Sequence, residues 1–417
     1  MKVAVVGGGI SGLGAARALD ADHQVTLFER RDRLGGHACT VDVDHYGHTI
    51  PVDCGFIVYN RKTYPALTDL FRQLSVKPRA TEMEFSVALD EGRFEWAVGS
   101  PAAMFAQRRN VVDPRFYRML VDILRFFRMG TADVLGGTVG QQTLGEYVAS
   151  HRLGGWFTQR FLVPMCRSIW SSSVDEILGY PAETMLGFLE DHGLLSVRPP
   201  IWLTLQGGSR TYVDSIRQGL RGDVRLNADI TAIRRSGGQV EVVDAAGNRQ
   251  HFDKVILACH APDALAMLAE PTQREAAILG SFRYTRNSVV LHGDDSFMPA
   301  RRSAWASWNY RGHTDPARNA DPVVLTYWMN KIQHIPRQYP LFVTLNPPQP
   351  PREGTEFARF DFAHPQFDHA AVQAQQDLPS IQGSANVWFC GAYARYGFHE
   401  DGLASGLRAA AAVAQDG

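Results

Sequence analysis

Two rhythms of apolar and polar positions alternate along this chain. Val3–Val6 is a short β-branched run stopped by glycine, and Val25–Phe28 is a second run ending at Glu29. Between them Leu13, Ala16 and Leu19 recur at helical spacing, so the stretch predicts strand, helix, strand. In mid-chain a loop at Gly207 enters a helix reaching Ile216, and strands broken at Gly237-Gly238 and Gly247 follow, closing with Lys254–Ala258. Val387–Cys390 reads as one more buried strand, followed after Gly391 by a loop and an alanine-rich helix opening at Asp401-Gly402. The intervening stretches differ in kind. Residues 76–204 are mostly helical in period, whereas 271–375 contain "NSVVLHG", "AWASWNY", "VVLTYWMN" and "LFVTLNP", short strands divided by polar turns.

The first turn carries the most informative chemistry. Gly7-x-Gly9-Ile10-Ser11-Gly12 lies between the predicted strand and helix, and Glu29 follows Gly12 by 17 residues. In that order the first glycine allows a tight turn, the second lets backbone approach a pyrophosphate, and the third lets helix and strand pack closely. The helix start then offers its amides and positive dipole end to the phosphates. A carboxylate at Glu29, beside Arg30, accepts ribose hydroxyls and repels a 2′-phosphate, which disfavours NADP. Gly136-Gly137-x-x-Gly140 has the wrong spacing for a second such loop, so no built-in NAD(P)H site is expected. Electrons should leave to oxygen, a quinone or a carrier protein.

Composition narrows the field further. With 417 residues, 45% hydrophobic and 20% charged, the chain can bury a large core and divide into two domains. A net charge of −1 offers nothing to nucleic acid. The five cysteines are scattered and odd in number, as in a reducing compartment. His37, Cys39, His45 and His48 are too irregularly spaced to suggest a metal site, and none is expected. With no leader before the first strand and no apolar run of about 18 residues, the expectation is a cytoplasmic protein, or one held peripherally at the inner face of the membrane. The second option rests on residues 104–130, where six arginines face two aspartates and Phe116, Leu120, Ile123 and Phe127 share a helical face. The competing reading is an amphipathic helix packed on its own domain.

The segment Arg33-Leu34-Gly35-Gly36-His37 resembles the R-x-G-G element of the flavin amine oxidase and phytoene desaturase superfamily. "VDCGFIVYN", with Gly55, Phe56 and Ile57, resembles its next flavin-side strand and loop, and Val387–Ala414 resembles its C-terminal flavin-facing helix. The resemblance implies FAD as cofactor and an α/β plus α+β architecture, a Rossmann-type FAD-binding domain with an inserted substrate domain. It places the first at about 1–75, 205–270 and 376–417, and the second at 76–204 and 271–375. It further implies that Ile230 meets the adenine through its backbone and that the helix start at Asp401, Gly402 and Leu403 faces the flavin pyrimidine. Where many relatives have Gly-Asp for the ribityl chain, this chain has Gly391-Ala392. Nor does Arg283–Asp294 contain the lysine that amine oxidases of the superfamily place near flavin N5.

A narrower resemblance, carried by "LGGH", "WASWNY", "LTYWMN", "FVTLNP" and "GFHEDGLASG", is to bacterial FAD oxidoreductases associated with cyclopropane-fatty-acid-synthase-type lipid methyltransferases. It implies a lipid acyl substrate, such as a methyl-branched chain, desaturated by hydride transfer to flavin N5. A flavin amine oxidase acting on a small amine, and a non-catalytic relative of the same fold, are the alternatives. Tyr396 and His399, between the last strand and its helix, are the candidates to take the accompanying proton. Trp170, Tyr327 and Trp328 are the candidate walls of the substrate tunnel, although each also fits core packing.

Overall fold

The computed structural model describes residues 1–45, 47–197 and 200–416. Its first layer is a five-stranded, all-parallel sheet in the order Asp223–Arg225, Gln24–Phe28, Lys2–Val6, Lys254–Leu257, Val387–Phe389. Segments far apart in sequence thus meet in register, Val3 opposite both Val25 and Lys254, and Val255 opposite Val387. Both faces are covered, which is why these strands read as unbroken apolar runs. Val3 and Val5 point to one side, where the helices Ile10–Leu19 and His399–Gln415 pack; Ala4 and Val6 point to the other. That second side is closed by the antiparallel strands Ile230–Ser236, Gln239–Asp244 and Arg249–Phe252 and by the helices Ala261–Met267 and Gln273–Gly280.

A seven-stranded mixed sheet forms the second body, in the order Glu356–Pro365, Tyr284–His292, Phe342–Leu345, Val324–Trp328, Trp308–Gly312, Phe85–Leu89, Phe94–Ala97. The four strands expected between 271 and 375 are all present. Two more come from the predominantly helical 76–204 stretch, and Phe85–Leu89 pairs parallel with Trp308–Gly312 across more than two hundred residues. The helices between 101 and 191 share a core with this sheet.

The longest of them, Pro114–Gly136, is capped by the Asp113 carboxylate, which accepts the Arg115 N–H, and stops at Gly137 in the left-handed conformation (φ 63°). It buries Phe116, Met119, Ile123 and Phe126, while Leu120 and Phe127 are half-buried against the same core. The apolar face read from the sequence is therefore turned inward, as the packing reading has it. Among the described residues, no helix is long and apolar enough to cross a membrane.

Candidate functional site

The strand Lys2–Val6 ends in Gly7, whose φ of +113° excludes an ordinary side chain. Gly12, one turn into the following helix, lies so close that a Cβ there would stand 1.9 Å from the Gly7 carbonyl. Gly9 caps the helix start with nothing within 4 Å of where its Cβ would be. The loop is thus tight beneath and open in front, the shape a pyrophosphate needs. Ile10 and Ser11 are buried beneath the helix His399–Gln415, which crosses through Gly402 and Gly406. Leu403 fills the space over Gly14.

The second glycine pair lies on the first. Gly35 N–H donates to the Gly8 carbonyl, Gly36 meets Gly9, and the Leu34 side chain covers Gly8. Arg33 braces this loop from within, its guanidinium donating to the carbonyls of Leu34, Gly36 and Ala38. Glu29 accepts the Gly8 N–H at 2.7 Å and the Arg31 N–H at 2.9 Å, one on each oxygen, which leaves lone pairs on both for sugar hydroxyls. Arg30 faces Asp263 at 3.8 Å. Ile230 is buried against Phe28, and the nearby Ala228 N–H donates to the Glu29 carbonyl.

His37 follows directly on Gly36. Its carbonyl accepts the Phe56 N–H and lies where a Cβ on Gly55 would fall, and its ring stacks on Phe362 at 4.8 Å. The Nε2 of this ring is shut from solvent and has no hydrogen-bond partner. A buried polar atom of this kind asks for a ligand. Around it lie His364 at 5.7 Å and His260 at 6.4 Å. Burial, reinforced by mutual repulsion, pushes His37 well below the usual histidine range and His364 down to about 4. The Asn287 amide donates to His364 Nδ1 at 3.1 Å, and Ser171 Oγ lies 3.4 Å from the same nitrogen.

Asp53, at the end of the strand His48–Asp53, ties the region together. Its carboxylate accepts from Thr40, from the Ser209 N–H and hydroxyl, and from Gln333, while burial pushes it up to about 6. Ile57 is buried one turn beyond, its carbonyl accepting from Thr204. His45 and His48 lie away from His37, beside Tyr339. Among the described residues, no group of three or more His, Cys, Asp or Glu side chains is arranged to hold a metal ion.

Gly391 N–H donates to Ser405, and the chain then turns into the helix that begins at His399. His399 stacks on Phe56 at 4.0 Å and shares a 2.6 Å hydrogen bond with Tyr212; burial pushes it down to about 3. Asp401 accepts the Phe398 N–H, and Glu400 accepts those of Ala66 and Leu67. Tyr396 lines a different compartment, a cavity of about 10 Å³ walled by Trp170, Tyr180, Thr184, Met185 and Phe367. Phe188 packs on both Trp170 and Tyr396 and stacks on Phe398. Trp170 and Tyr396 are therefore neighbours. Trp328 lines another cavity, of about 450 Å³, beside Lys331, whose ammonium is held by Glu82 and Glu84. Tyr327 precedes it on the strand Val324–Trp328, opposite Trp308.

Sequence reasoning missed Asp53, Ser171, Tyr212, Asn287 and His364. Each is an isolated polar residue whose partner lies far along the chain, so no local spacing marks it.

Comparison with known proteins agrees with this geometry. Residues 10–295 match the flavin containing amine oxidoreductase family. Polyamine oxidase 4 of Oryza sativa subsp. japonica is 27% identical over 314 residues, 72% of this chain and 60% of that protein, so the match spans about three fifths of the relative's length. The fold superposes on cyclohexylamine oxidase from Brevibacterium oxydans with a TM-score of 0.70 at 14% identity, covering 100% of this chain and 99% of that one. It also superposes on the CLA-producing fatty acid isomerase from P. acnes with a TM-score of 0.68 at 14% identity, covering 99% and 98%. The open glycine loop, the unpartnered His37 nitrogen and the matched family agree: the chain belongs to the flavin containing amine oxidoreductases.

Proposed function

We propose that this oxidoreductase dehydrogenates an uncharged aliphatic substrate, a lipid acyl chain such as a methyl-branched one. The observation that carries the reading is the lining of the cavity at Tyr396, which contains no carboxylate to pair with an ammonium substrate. That lining is aromatic or neutral, while Arg395 lies over the Tyr396 ring at 4.9 Å. Glu400, Asp401 and Asp53 lie outside that lining and are hydrogen-bonded to backbone N–H groups, and His37 and His364 are lowered by burial. The strand Tyr284–His292 presents Asn287 and no lysine. Lys331 is ion-paired to Glu82 and Glu84.

Residues 1–75, 205–270 and 376–417 would hold the cofactor, and 76–204 with 271–375 the substrate. The Gly7–Gly12 turn would take the pyrophosphate, Glu29 the ribose and the Ile230 backbone the adenine. Gly35–His37, Gly55–Ile57 and the start of His399–Gln415 would flank the ring, where the positive end of the helix steadies negative charge. When bound, FAD supplies the acceptor for a hydride leaving an aliphatic carbon. His399 orients rather than takes a proton, because Tyr212 engages its Nε2. His364 has its Nδ1 occupied by Asn287 and so presents Nε2–H as a donor. His37 Nε2 has no hydrogen-bond partner and would accept the proton from the neighbouring carbon, with a basicity lowered by burial.

Oxidation of a small amine is the second reading, favoured by the aromatic surfaces of Trp170, Tyr396 and Phe398, which can face a cation. Anaerobic mixing decides between them. Flavin bleaching by branched-chain phospholipid with appearance of a new double bond supports the first; bleaching by an amine alone overturns it. In the productive case His37→Gln should lower kcat by about 10²-fold or more while FAD remains bound.

A further inference from the structure

The helix Pro114–Gly136 is apolar on two opposite sides. One side is the buried face already described. On the other, Tyr117, Val121, Leu124 and Leu135 are exposed by 44%, 51%, 54% and 76%, and Val111 and Val112, just before the helix, by 48% and 82%. Six of the eleven large apolar side chains exposed among the described residues lie in these twenty-five positions.

At about 100° per residue, positions 117, 121, 124, 128 and 135 fall within one narrow stripe. That stripe runs straight for about 27 Å along the side facing away from Met119, Phe126 and Gly130. The Tyr117 hydroxyl donates to the Val111 carbonyl and so joins the Val111-Val112 turn to the upper end of the ridge. The ridge carries no carboxylate. Arg128 stands within it, and Arg118 and Arg125 flank it, bound to the buried Asp122 beneath. Arg108, Arg109 and Arg128 are exposed and take part in no ion pair among the described residues. Six arginines against two aspartates between 104 and 130, in a chain of net charge −1, make this a segregated basic patch.

We propose that this ridge docks on the surface of an anionic lipid bilayer, with the helix lying parallel to it. An aliphatic and aromatic ridge immersed to the depth of the headgroups, with guanidiniums spread beside it on long stems, is the composition of an interfacial helix. Each arginine near an anionic surface adds attraction that salt screens. A second copy of the chain is the poorer occupant, because two-fold pairing on this face would set one arginine row against the other. The proposal does not rest on the substrate assigned above: it concerns a surface on which an amine oxidase could equally sit.

Flotation of the FAD-loaded protein with vesicles tests it. Vesicles of phosphatidylcholine mixed with phosphatidylglycerol should carry at least about tenfold more protein than phosphatidylcholine alone at low salt. The pair Val121→Asp and Leu124→Asp should abolish binding, and Arg108→Gln with Arg109→Gln and Arg128→Gln should remove most of the difference between the two lipids. All five positions are exposed, so circular dichroism and bound flavin should be unchanged in both variants. Absence of flotation on anionic vesicles at low salt overturns the proposal, as does binding that the aspartate pair leaves intact. Concentration-dependent dimerisation abolished by that pair, without vesicle binding, would assign the ridge to a second copy instead. Flavin bleaching by substrate in detergent reads the catalytic assignment separately.

Discussion

Two glycines one turn apart separate structure from function at the residue scale. A Cβ on Gly12 would fall 1.9 Å from backbone that cannot give way, whereas one on Gly9 meets nothing. Gly9 has φ −74° and ψ −179°, which alanine adopts freely. Gly12→Ala should therefore destabilise the protein by about 3 kcal/mol or more, even without cofactor. Gly9→Ala should leave the cofactor-free melting temperature unchanged and, with the pyrophosphate where we propose it, weaken FAD binding by at least about tenfold, since the methyl would occupy its approach. Differential scanning fluorimetry with and without FAD reads both; a Gly9→Ala protein that melts early without FAD would show that the loop is strained rather than open. These glycines were legible in the sequence because turn, approach and packing all fall within six residues. His364 was not, since its amide partner Asn287 lies 77 positions away and belongs to the neighbouring strand.

Among the elements, Pro114–Gly136 depends on one buried charge. Asp122 is fully buried and accepts from Arg118, Arg125 and the Gly154 N–H, so it fastens the helix to the segment that follows it. Asp122→Ala leaves a buried N–H and two guanidiniums without their partner, and should cost about 2–3 kcal/mol in urea unfolding. Asp122→Asn keeps an acceptor for Gly154 and should cost less; equal losses would mean that charge, not the hydrogen bond, holds the contact. From the sequence Asp122 is simply an acid in a basic helix. Its burial follows from what packs above it, which periodicity does not reveal. The strand periods between 284 and 345 were legible because each strand is locally consistent. The attachment of Phe85–Leu89 to the same sheet was not, being a parallel pairing set by the closure of the whole body.

For the molecule as a whole, buried histidines set the response to acid. His192, His292 and His364 are pushed down to about 4 and His399 to about 3, with His37 also lowered, all chiefly by burial. The unfolded chain binds protons at these positions near 6.5, before the folded one does, so stability is lost as pH falls below that value. Asp53 and Asp401, pushed up to about 6 from 3.8 by burial, act in the opposite sense and blunt the loss below about pH 6. The lowered histidines, His45 and His260 among them, outnumber the raised carboxylates Asp53, Glu400 and Asp401, and urea unfolding should show stability declining from neutral pH toward about pH 5. A flat or rising profile would place these histidines in contact with water.

The parallel sheet also dictates when the protein can first exist. Its central strand is finished at Val6, but the neighbour on one side ends at Leu257, and the strand that covers that neighbour begins only at Val387. The helix lying across the glycine loop comes later still, from His399 onward. On a ribosome, the region proposed to take the cofactor therefore stays incomplete until Val387–Phe389 and the helix after it are made, with the edge of Lys254–Leu257 bare. Bound where we propose, FAD would seal the fold rather than guide its early steps. A growing polypeptide paused before Val387 is the species that chaperones and proteases would meet.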